Sequence, residues 1–282
     1  AYGTEEQKQR WLPKMVSGEI VGALAMTEPS GGSDVQGIRT RAIREGNAYR
    51  LTGQKTFITN GQHADLVILA VKTDPKAGAR GTTLFLVDSQ LDGFSRGRNL
   101  DKIGQHAGDT SELYFSDVRT PASSVLGRVG GGFGHLMDEL PRERLALGVT
   151  AVGAAQGCIE QTIEYVQNRK AFGQAIGSFQ NTRFELARMK TDLEVNRAFV
   201  DHCAALYANG KLDVPTAAMV KLASTEMQCR VADGCLQLFG GYGYMTEYPI
   251  ARAFADARVQ RIYGGTSEIM KEVIARSMLG RG

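Results

Sequence analysis

Gly127–Gly134 reads GRVGGGFG, and the spacing of apolar residues changes across this stretch. On its N-terminal side, short runs rich in Val, Ile, Leu, Thr, Phe and Tyr alternate with turn residues, which is typical of strands. On its C-terminal side, apolar residues recur every three or four positions, which is typical of amphipathic helices. The stretch therefore separates a β region from a helical region.

The β region carries five runs with strand character: NAYRLTG, KTFITNG, DLVILAVK, TTLFLVD and SELYFSDV. Turn sequences such as Asn60-Gly61 and Asp92-Gly93 punctuate them, and no long helical stretch intervenes. This pattern predicts an antiparallel barrel or sandwich rather than a parallel sheet with crossover helices. Because no strand–helix–strand unit is predicted, GRVGGGFG is not interpreted as a dinucleotide-binding fingerprint.

The helical region contains four amphipathic segments, which include Val152, Leu186, Met219 and Ile269. Their short connections predict a four-helix bundle. We therefore predict an α+β chain in three parts. These are the last helix of a truncated N-terminal helical domain (residues 1–19), a β domain (20–125) and a C-terminal helical bundle (126–282).

The first of these parts opens with AYGTEEQKQRWLPKMVSG, which reads as a helix already under way that stops near Ser17-Gly18. It has no initiator Met, secretory apolar segment or Arg-rich transit pattern. We therefore expect helical material to precede it, and we predict no targeting segment within this chain.

Composition indicates an ordinary globular protein, with 43% hydrophobic residues, 22% charged residues and a net charge of +3. So small a net charge does not favour nucleic-acid binding, and no apolar run reaches the length of a membrane span. The four cysteines form no CxxC pair and are predicted to be buried, reduced thiols. The four histidines are scattered, so we predict no metal site.

Two kinds of loop are candidates for ligand binding. Met26–Asp34, MTEPSGGSD, is rich in N–H and O–H donors that suit a phosphate or a polar ring edge, although a solvent-exposed loop between strands has the same composition. The glycine turns FGGYGY and YGGTSE each adjoin a predicted helix. Such turns either end a helix or let the backbone approach a flat or phosphorylated ligand.

Asp138–Leu145, DELPRERL, is the candidate for acid–base chemistry. Pro141 suits the first turn of a helix and makes one continuous helix through Glu139 and Glu143 doubtful. Glu143 is then either an ordinary first-turn carboxylate or a general base beside Arg144, and composition alone favours the first.

Five segments, in order along essentially the whole chain, resemble signatures of the acyl-CoA dehydrogenase family of FAD enzymes: AMTEPSGGSD, GQKTFITNG, RKAFGQAIGSFQ, QLFGGYGY and YGGTSEI. The resemblance implies oxidation of an acyl-CoA thioester to the trans-2-enoyl-CoA. A glutamate would take the α proton, flavin N5 would accept the β hydride, and electrons would pass to an electron-transfer flavoprotein.

The resemblance also implies a set of FAD contacts: Leu24, Met26, Thr27, Ser33, Phe57, Ile58, Thr59, Arg169, Phe172, Gln180, Gln237, Gly240, Gly241, Thr266, Ser267 and Glu268. The implied substrate contacts are Ser33, Arg144, Gly264 and Gly265. Some FAD contacts would come from a neighbouring subunit, so a homotetramer, or else a homodimer, is expected.

The catalytic base implied by the resemblance is Glu143. Many family members place a glutamate directly before Gly-Thr-Ser, where this chain has Gly264, whereas long-chain and isovaleryl types supply it from an ERL segment. We therefore expect a dehydrogenase for fatty acyl-CoA of medium or long chain, acting in β-oxidation. A branched or short-chain (isovaleryl-type) dehydrogenase, an acyl-CoA oxidase and a non-catalytic acyl-CoA-binding relative remain alternatives. The expected compartment is the cytoplasm in a bacterium or the mitochondrial matrix in a eukaryote.

Overall fold

The computed structural model describes residues 1–280, which form two compact units. The first unit contains Ala1–Lys102 and His106–Asp138, and the second contains Ile103–Gln105 and the residues from Glu139 onward. The domain limits predicted from the sequence stay a prediction.

The first unit is built on an eight-stranded sheet with one helix of regular length before it. Its elements are α1 (Glu5–Ser17), β1 (Gly22–Ala25), β2 (Arg41–Glu45), β3 (Ala48–Thr59), β4 (Leu66–Lys72), β5 (Thr82–Asp88), β6 (Phe94–Asn99), β7 (Thr110–Pro121) and β8 (Val125–Leu126). The strand order is β6-β7-β3-β2-β4-β5-β8, and β1 pairs with β4. The runs NAYRLTG and KTFITNG, predicted as separate strands, are parts of the single strand β3.

The sheet is mixed, which corrects the purely antiparallel prediction. β1 runs parallel to β4, and β2 meets β4 in a parallel pairing at Arg41 and Lys72, while the other pairings are antiparallel. A parallel pair requires a crossover connection, and the long stretch between β1 and β4 supplies one. The continuous apolar runs of β4 and β5 are explained by burial, because nearly every residue in both strands is inaccessible.

Helix α1 begins inside the chain, so the prediction of a helix already under way was wrong. Thr4 is its N-cap, and its side chain accepts from the Gln7 backbone N–H while the Gln7 side chain accepts from the Thr4 N–H. This reciprocal pair is a capping box, which a Thr-x-x-Gln pattern favours. The predicted stop is confirmed at Gly18, whose φ of 80° is the left-handed conformation that glycine adopts readily.

The second unit is helical. Within residues 1–280, the remaining α-helices and strands are α2 (Gly132–Asn168), β9 (Lys170–Ala171), β10 (Gln174–Ala175), α3 (Gln180–Ala208), α4 (Val214–Phe239), α5 (Pro249–Ala257) and α6 (Ser267–Leu279). The four predicted helices correspond to α2, α3, α4 and α6, and α5 was not predicted. FGGYGY ends α4 and continues as a 3-10 turn, Gly240–Tyr244.

Helix α2 passes through Pro141 without ending, contrary to the prediction of a helix start there. An interior proline removes one backbone hydrogen bond and costs about 3 kcal/mol or more. Burial of apolar residues after the proline, including Leu145, Val152 and Ile159, offsets that cost. Glu143 consequently lies eleven residues into the helix and gains nothing from its N-terminal dipole.

The core of the second unit joins α2, α3 and α4 around residues such as Ile159, Leu193 and Met227. All four cysteines are free, and three of them are buried, whereas Cys229 is half-buried. Among residues 1–280, no helix combines the length and the apolar character that a membrane span requires.

Candidate functional site

A buried ion pair organises the Met26–Asp34 loop of the first unit. Lys55, on β3, has no exposed side-chain surface, and its Nζ lies 2.8 Å from Glu28 Oε1 and 2.9 Å from the Met26 carbonyl oxygen. The Glu28 carboxylate also accepts from the backbone N–H groups of Arg39 (2.6 Å) and Thr40 (2.9 Å). The loop is therefore tied at one point to β3 and to the chain entering β2.

The electrostatics of this pair are those of two charges held out of water. Burial lowers the pKa of Lys55 to about 8, although the neighbouring Glu28 opposes that shift. Burial would raise the pKa of Glu28, but the Lys55 charge and the hydrogen bonds to the carboxylate outweigh it and hold that pKa below its usual value. Both groups are thus ionised at neutral pH, and each depends on the other.

The same contacts set the direction of the Thr27 main chain. The Met26 carbonyl points to Lys55, and the Thr27 carbonyl accepts from the Thr56 N–H at 3.0 Å. In a trans peptide the N–H points opposite to the carbonyl of the preceding residue, so the Thr27 N–H is directed away from Lys55. A donor held in this way suits the predicted contact with a polar ring edge.

The other predicted residues of this loop differ in what they can offer. The side chains of Leu24 and Met26 are partly buried against a small apolar cluster, whereas Ser33 is exposed. These positions leave Ser33 free to meet a ligand and limit Leu24 and Met26 to apolar contact.

Phe57, Ile58 and Thr59, the three FAD contacts predicted on β3, lie at or beside a β-bulge and differ in exposure. The register between β3 and β7 shifts between Lys55 and Ile58, and Phe57, inside this bulge, has a positive φ of 57° and is 67% exposed. Thr59 is exposed too, but Ile58 packs in the core of the sheet and can offer only its backbone.

A cavity of about 530 Å³ in the second unit brings together four of the predicted FAD contacts: Arg169, Gln237, Gly240 and Gly241. The Arg169 guanidinium lies 5.4 Å from the centre of the Tyr242 ring, and the Tyr165 ring stacks on Phe239 at 4.0 Å. Of the other predicted contacts in this region, Gln180 is exposed at the start of α3, and Phe172 is 96% exposed with a φ of 53°.

Gly264 and Gly265 form a turn that only glycine adopts easily, with φ values of 64° and 99°. Lys221, on α4, is fully buried, and its Nζ donates to the Gly265 carbonyl at 2.7 Å. A Cβ built on Gly264 would lie 2.5 Å from Leu147 Cδ1, so this position points at α2.

Glu143 lies one helical turn before Leu147, on the same side of α2. Its side chain is half-buried, and burial, assisted by the negative charge of Glu139, raises its pKa against the opposing charges of Arg142 and Arg144. A carboxylate whose pKa moves toward neutrality is suited to take up a proton. The pKa of Glu143 is therefore raised by its half-buried position, and not by a location in the first turn of a helix.

Thr266, Ser267 and Glu268 begin α6. Thr266 caps the helix by accepting from the Ile269 N–H at 3.2 Å, and Glu268 is exposed. Ser267 is buried, and its hydroxyl donates to Glu226 at 2.7 Å. The predicted ligand contact of Ser267 is therefore restricted to its backbone N–H or to a hydrogen bond accepted by its hydroxyl.

Sequence reasoning missed the charged residues beneath these loops: Glu28, Lys55, Lys221, Glu226 and Arg261. Arg261 pairs with Glu226 at 2.8 Å and ties the segment before the glycine turn to α4. One signal for Lys221 was present, because helical spacing places it in phase with the buried residues Ala217, Ser224 and Gln228.

Burial of Glu143 also makes the folding stability of the protein depend on pH. Because its pKa in the folded protein is raised above 4.5, Glu143 contributes stability that is present below the unfolded pKa and lost as pH rises through the folded pKa. We expect Glu143→Gln to raise the thermal midpoint at neutral pH, with the difference shrinking as the pH is lowered toward about 4. Glu164→Gln, an exposed substitution on the same helix, is the control and should show no such pH-dependent difference.

Comparison with known protein families covers both units. The acyl-CoA dehydrogenase middle-domain model matches residues 23–118, and the acyl-CoA dehydrogenase C-terminal-domain model matches residues 130–279. The chain belongs to the acyl-CoA dehydrogenase family. The resemblance inferred from the five motifs and the predicted α+β class are thereby confirmed.

Individual family members agree with this assignment. The long-chain specific acyl-CoA dehydrogenase of Rattus norvegicus mitochondria is 50% identical over 280 residues, which is 99% of this chain and 65% of that enzyme. The crystal structure of an acyl-CoA dehydrogenase from Geobacillus kaustophilus is 49% identical with a TM-score of 0.97, and the match covers 99% of this chain and 74% of that one. A glutaryl-CoA dehydrogenase from Mycobacterium smegmatis, solved in complex with FADH2, is 32% identical with a TM-score of 0.94 over 99% of this chain and 71% of that one.

Proposed function

We propose that the protein is an FAD-dependent acyl-CoA dehydrogenase acting on saturated fatty acyl-CoA of medium or long chain in β-oxidation. The observation that carries the proposal is Glu143, a half-buried carboxylate with a raised pKa, on the side of α2 toward which Gly264 points. The 50% identity to a long-chain enzyme supports the choice of acyl chain.

Each unit contains residues that fit a part of FAD. In the second unit, the cavity offers the Arg169 cation, an amide at Gln237 and bare backbone at Gly240 and Gly241, a donor set suited to a pyrophosphate. In the first unit, the Thr27 N–H is directed away from the buried Lys55 and Phe57 is exposed, which suits the edge and face of a flat ring. When bound, FAD supplies the acceptor for the β hydrogen and its electron pair.

The chain's own residues would then carry the proton chemistry. The Glu143 carboxylate takes the α proton, the electrons of that C–H bond form the Cα–Cβ double bond, and the β hydrogen leaves as hydride. Negative charge that develops on the thioester oxygen needs fixed donors, and a main-chain N–H of the Gly264–Gly265 turn can supply one without a side chain. Arg144, which is buried, places a positive charge beside Glu143.

The test of this proposal is an anaerobic titration of the FAD-loaded protein with saturated acyl-CoAs from butyryl to palmitoyl. We expect bleaching of the bound flavin, greatest with the longer chains. Strongest bleaching with isovaleryl-CoA would overturn the assigned chain type, and stoichiometric peroxide in air would indicate an oxidase. Absence of bleaching with every substrate would indicate a non-catalytic acyl-CoA-binding protein.

Relocating the base gives a further prediction. We expect Glu143→Thr with Gly264→Glu to regain part of the turnover lost in Glu143→Thr alone, because a side chain at position 264 points at the turn of α2 that follows Glu143. The positive φ of Gly264 and the approach to Leu147 strain the new side chain, so adding Leu147→Ala should increase the recovery. Steady-state turnover of the single, double and triple variants measures the recovery. Equal activity in all three would show that a carboxylate at position 264 does not reach the α proton.

Partners and assembly are part of the proposal. An electron-transfer flavoprotein would reoxidise the protein, and a homotetramer would complete each FAD site. Phe172 and Tyr244, which are 96% and 82% exposed, support a subunit contact near the FAD-binding segments of the second unit. The mitochondrial relatives support a matrix location in a eukaryote, and a bacterial protein would be cytoplasmic.

A further inference from the structure

Lys221 is an unusual residue for the interior of a helical unit. Its side chain is fully buried on α4, and within the described part of the chain it has no carboxylate in ion-pair contact. Among residues 1–280, the Lys221 side chain makes one hydrogen bond, from Nζ to the Gly265 carbonyl. A buried cation without a direct counter-ion costs free energy.

A second buried cation lies close to it. Arg144 is 5% exposed, and its Nε is buried without a hydrogen-bond partner among the described residues. Burial first, and then the charge of Arg144, lower the pKa of Lys221 to about 8, whereas Glu226 and Glu268 act in the opposite direction. Two neighbouring cations beneath the Gly264–Gly265 turn are therefore retained at an energetic cost.

The effect of the Lys221 contact follows from the backbone of the turn. Gly264 and Gly265 have no side chains to restrict φ and ψ, so the turn would otherwise be free to reorient. Anchoring the Gly265 carbonyl fixes the peptide plane between Gly265 and Thr266 and directs the Thr266 N–H away from Lys221. Because that plane includes the Gly265 Cα, the anchor also fixes the atom from which the Gly265 N–H extends.

We propose that Lys221 is a positioning residue that locks the Gly264–Gly265 turn, through the Gly265 carbonyl, in the orientation that aims its main-chain N–H donors at the thioester oxygen. The inference rests on the proposed function, since it assumes that a thioester meets this turn. Lys221 touches neither substrate nor cofactor in this role. It acts by preventing the donors from reorienting when charge develops on the oxygen.

The experiment uses the FAD-loaded protein and a 3-thiaacyl-CoA, a probe that can lose an α proton but has sulfur in place of the β carbon and so cannot give up a β hydride. A ¹³C label at the α carbon reports the ratio of enolate to thioester in the bound probe. Lys221→Met is expected to lower this ratio at least tenfold while changing the probe's Kd less than threefold. Lys221→Gln, whose amide is one bond too short to reach fully, should lower it at least threefold.

Amide hydrogen exchange in the FAD-free protein gives a second readout. In Lys221→Met the amides of residues 264–267 should exchange at least tenfold faster than in the unsubstituted protein. Lys72→Met is the matched control, because Lys72 is also a buried lysine that donates to a loop carbonyl, at Gly78 (2.6 Å). It should lower stability without changing the enolate ratio or exchange in residues 264–267.

The enolate ratio distinguishes failure of the proposed function from failure of the role assigned to Lys221. If the unsubstituted protein binds the probe but forms no enolate, the proposed function fails. If it forms the enolate and Lys221→Met and Lys221→Gln match its ratio, the role assigned to Lys221 is overturned. Should Lys221→Met fail to fold, the enolate ratio of Lys221→Gln alone tests the role: an unchanged ratio overturns it, and a ratio at least threefold lower supports it.

Discussion

Glu143→Gln is expected to lower turnover of a saturated fatty acyl-CoA about a thousandfold, because glutamine cannot accept the α proton and general-base catalysis typically contributes about 10²–10⁴. The substitution preserves shape, and it removes a half-buried carboxylate rather than a structural contact. We therefore expect FAD content and the Kd for acyl-CoA to change little. Stopped-flow reduction of the bound flavin under anaerobic conditions measures the effect on the chemical step.

Glu139→Gln is the matched control, since Glu139 lies one turn earlier on α2 and pairs with Arg142 at 3.5 Å on the surface. It should keep most of the turnover, with only a small downward shift in the pH profile, because its charge helps to raise the pKa of Glu143. If flavin reduction were near normal in Glu143→Gln and lost in Glu139→Gln, the base would be Glu139 and not Glu143.

Lys55→Met should produce the largest loss of stability among the substitutions discussed. It leaves the Glu28 carboxylate, which is 5% exposed, without the cation that compensates its burial. Breaking a buried pair by removing one partner costs about 3–5 kcal/mol. The Met26–Asp34 loop loses its anchor to β3 at the same time, so FAD retention should also fall. Urea unfolding and the flavin content of the purified protein measure the two effects.

Two comparisons sharpen the Lys55 prediction. Lys55→Met with Glu28→Gln should be less destabilised than Lys55→Met alone, because the buried negative charge is gone. Arg50→Met, which removes surface pairs with Glu45 and Asp117 on the two neighbouring strands, should change stability little. If Lys55→Met were no more destabilising than Arg50→Met, the buried pair would not be what holds the loop.

The local sequence pattern predicted where the sheet gives way to long helices, but it did not predict that α2 continues through Pro141. The change of apolar spacing at Gly127–Gly134 correctly separated the eight-stranded sheet from the long helices α2, α3 and α4, since each side buries its residues with its own period. The helix start predicted at Pro141 was wrong. The local rule predicts a break at a proline, but tertiary packing of α2 holds the helix together there. The parallel pairing of β1 with β4 was not predictable, because it joins residues distant in sequence.

The candidate site shows the same limit. Glu143 was found because its ERL context resembles a family signature, yet the cause of its raised pKa is burial on one side of a long helix, which no local pattern displays. Lys55 and Lys221 were missed because lysine in a sequence ordinarily indicates a surface position. Their roles depend on carbonyl groups from distant segments, at Met26 and Gly265.

Proton transfer to Glu143 is tested most directly by solvent exchange at the α carbon of bound 3-thiaacyl-CoA. In deuterium oxide, the FAD-loaded protein should replace the α hydrogens of the probe with deuterium, and Glu143→Gln should slow this exchange about a thousandfold. Glu139→Gln should exchange at close to the normal rate. Exchange in Glu143→Gln at the rate of the unsubstituted protein would contradict the assignment of the base.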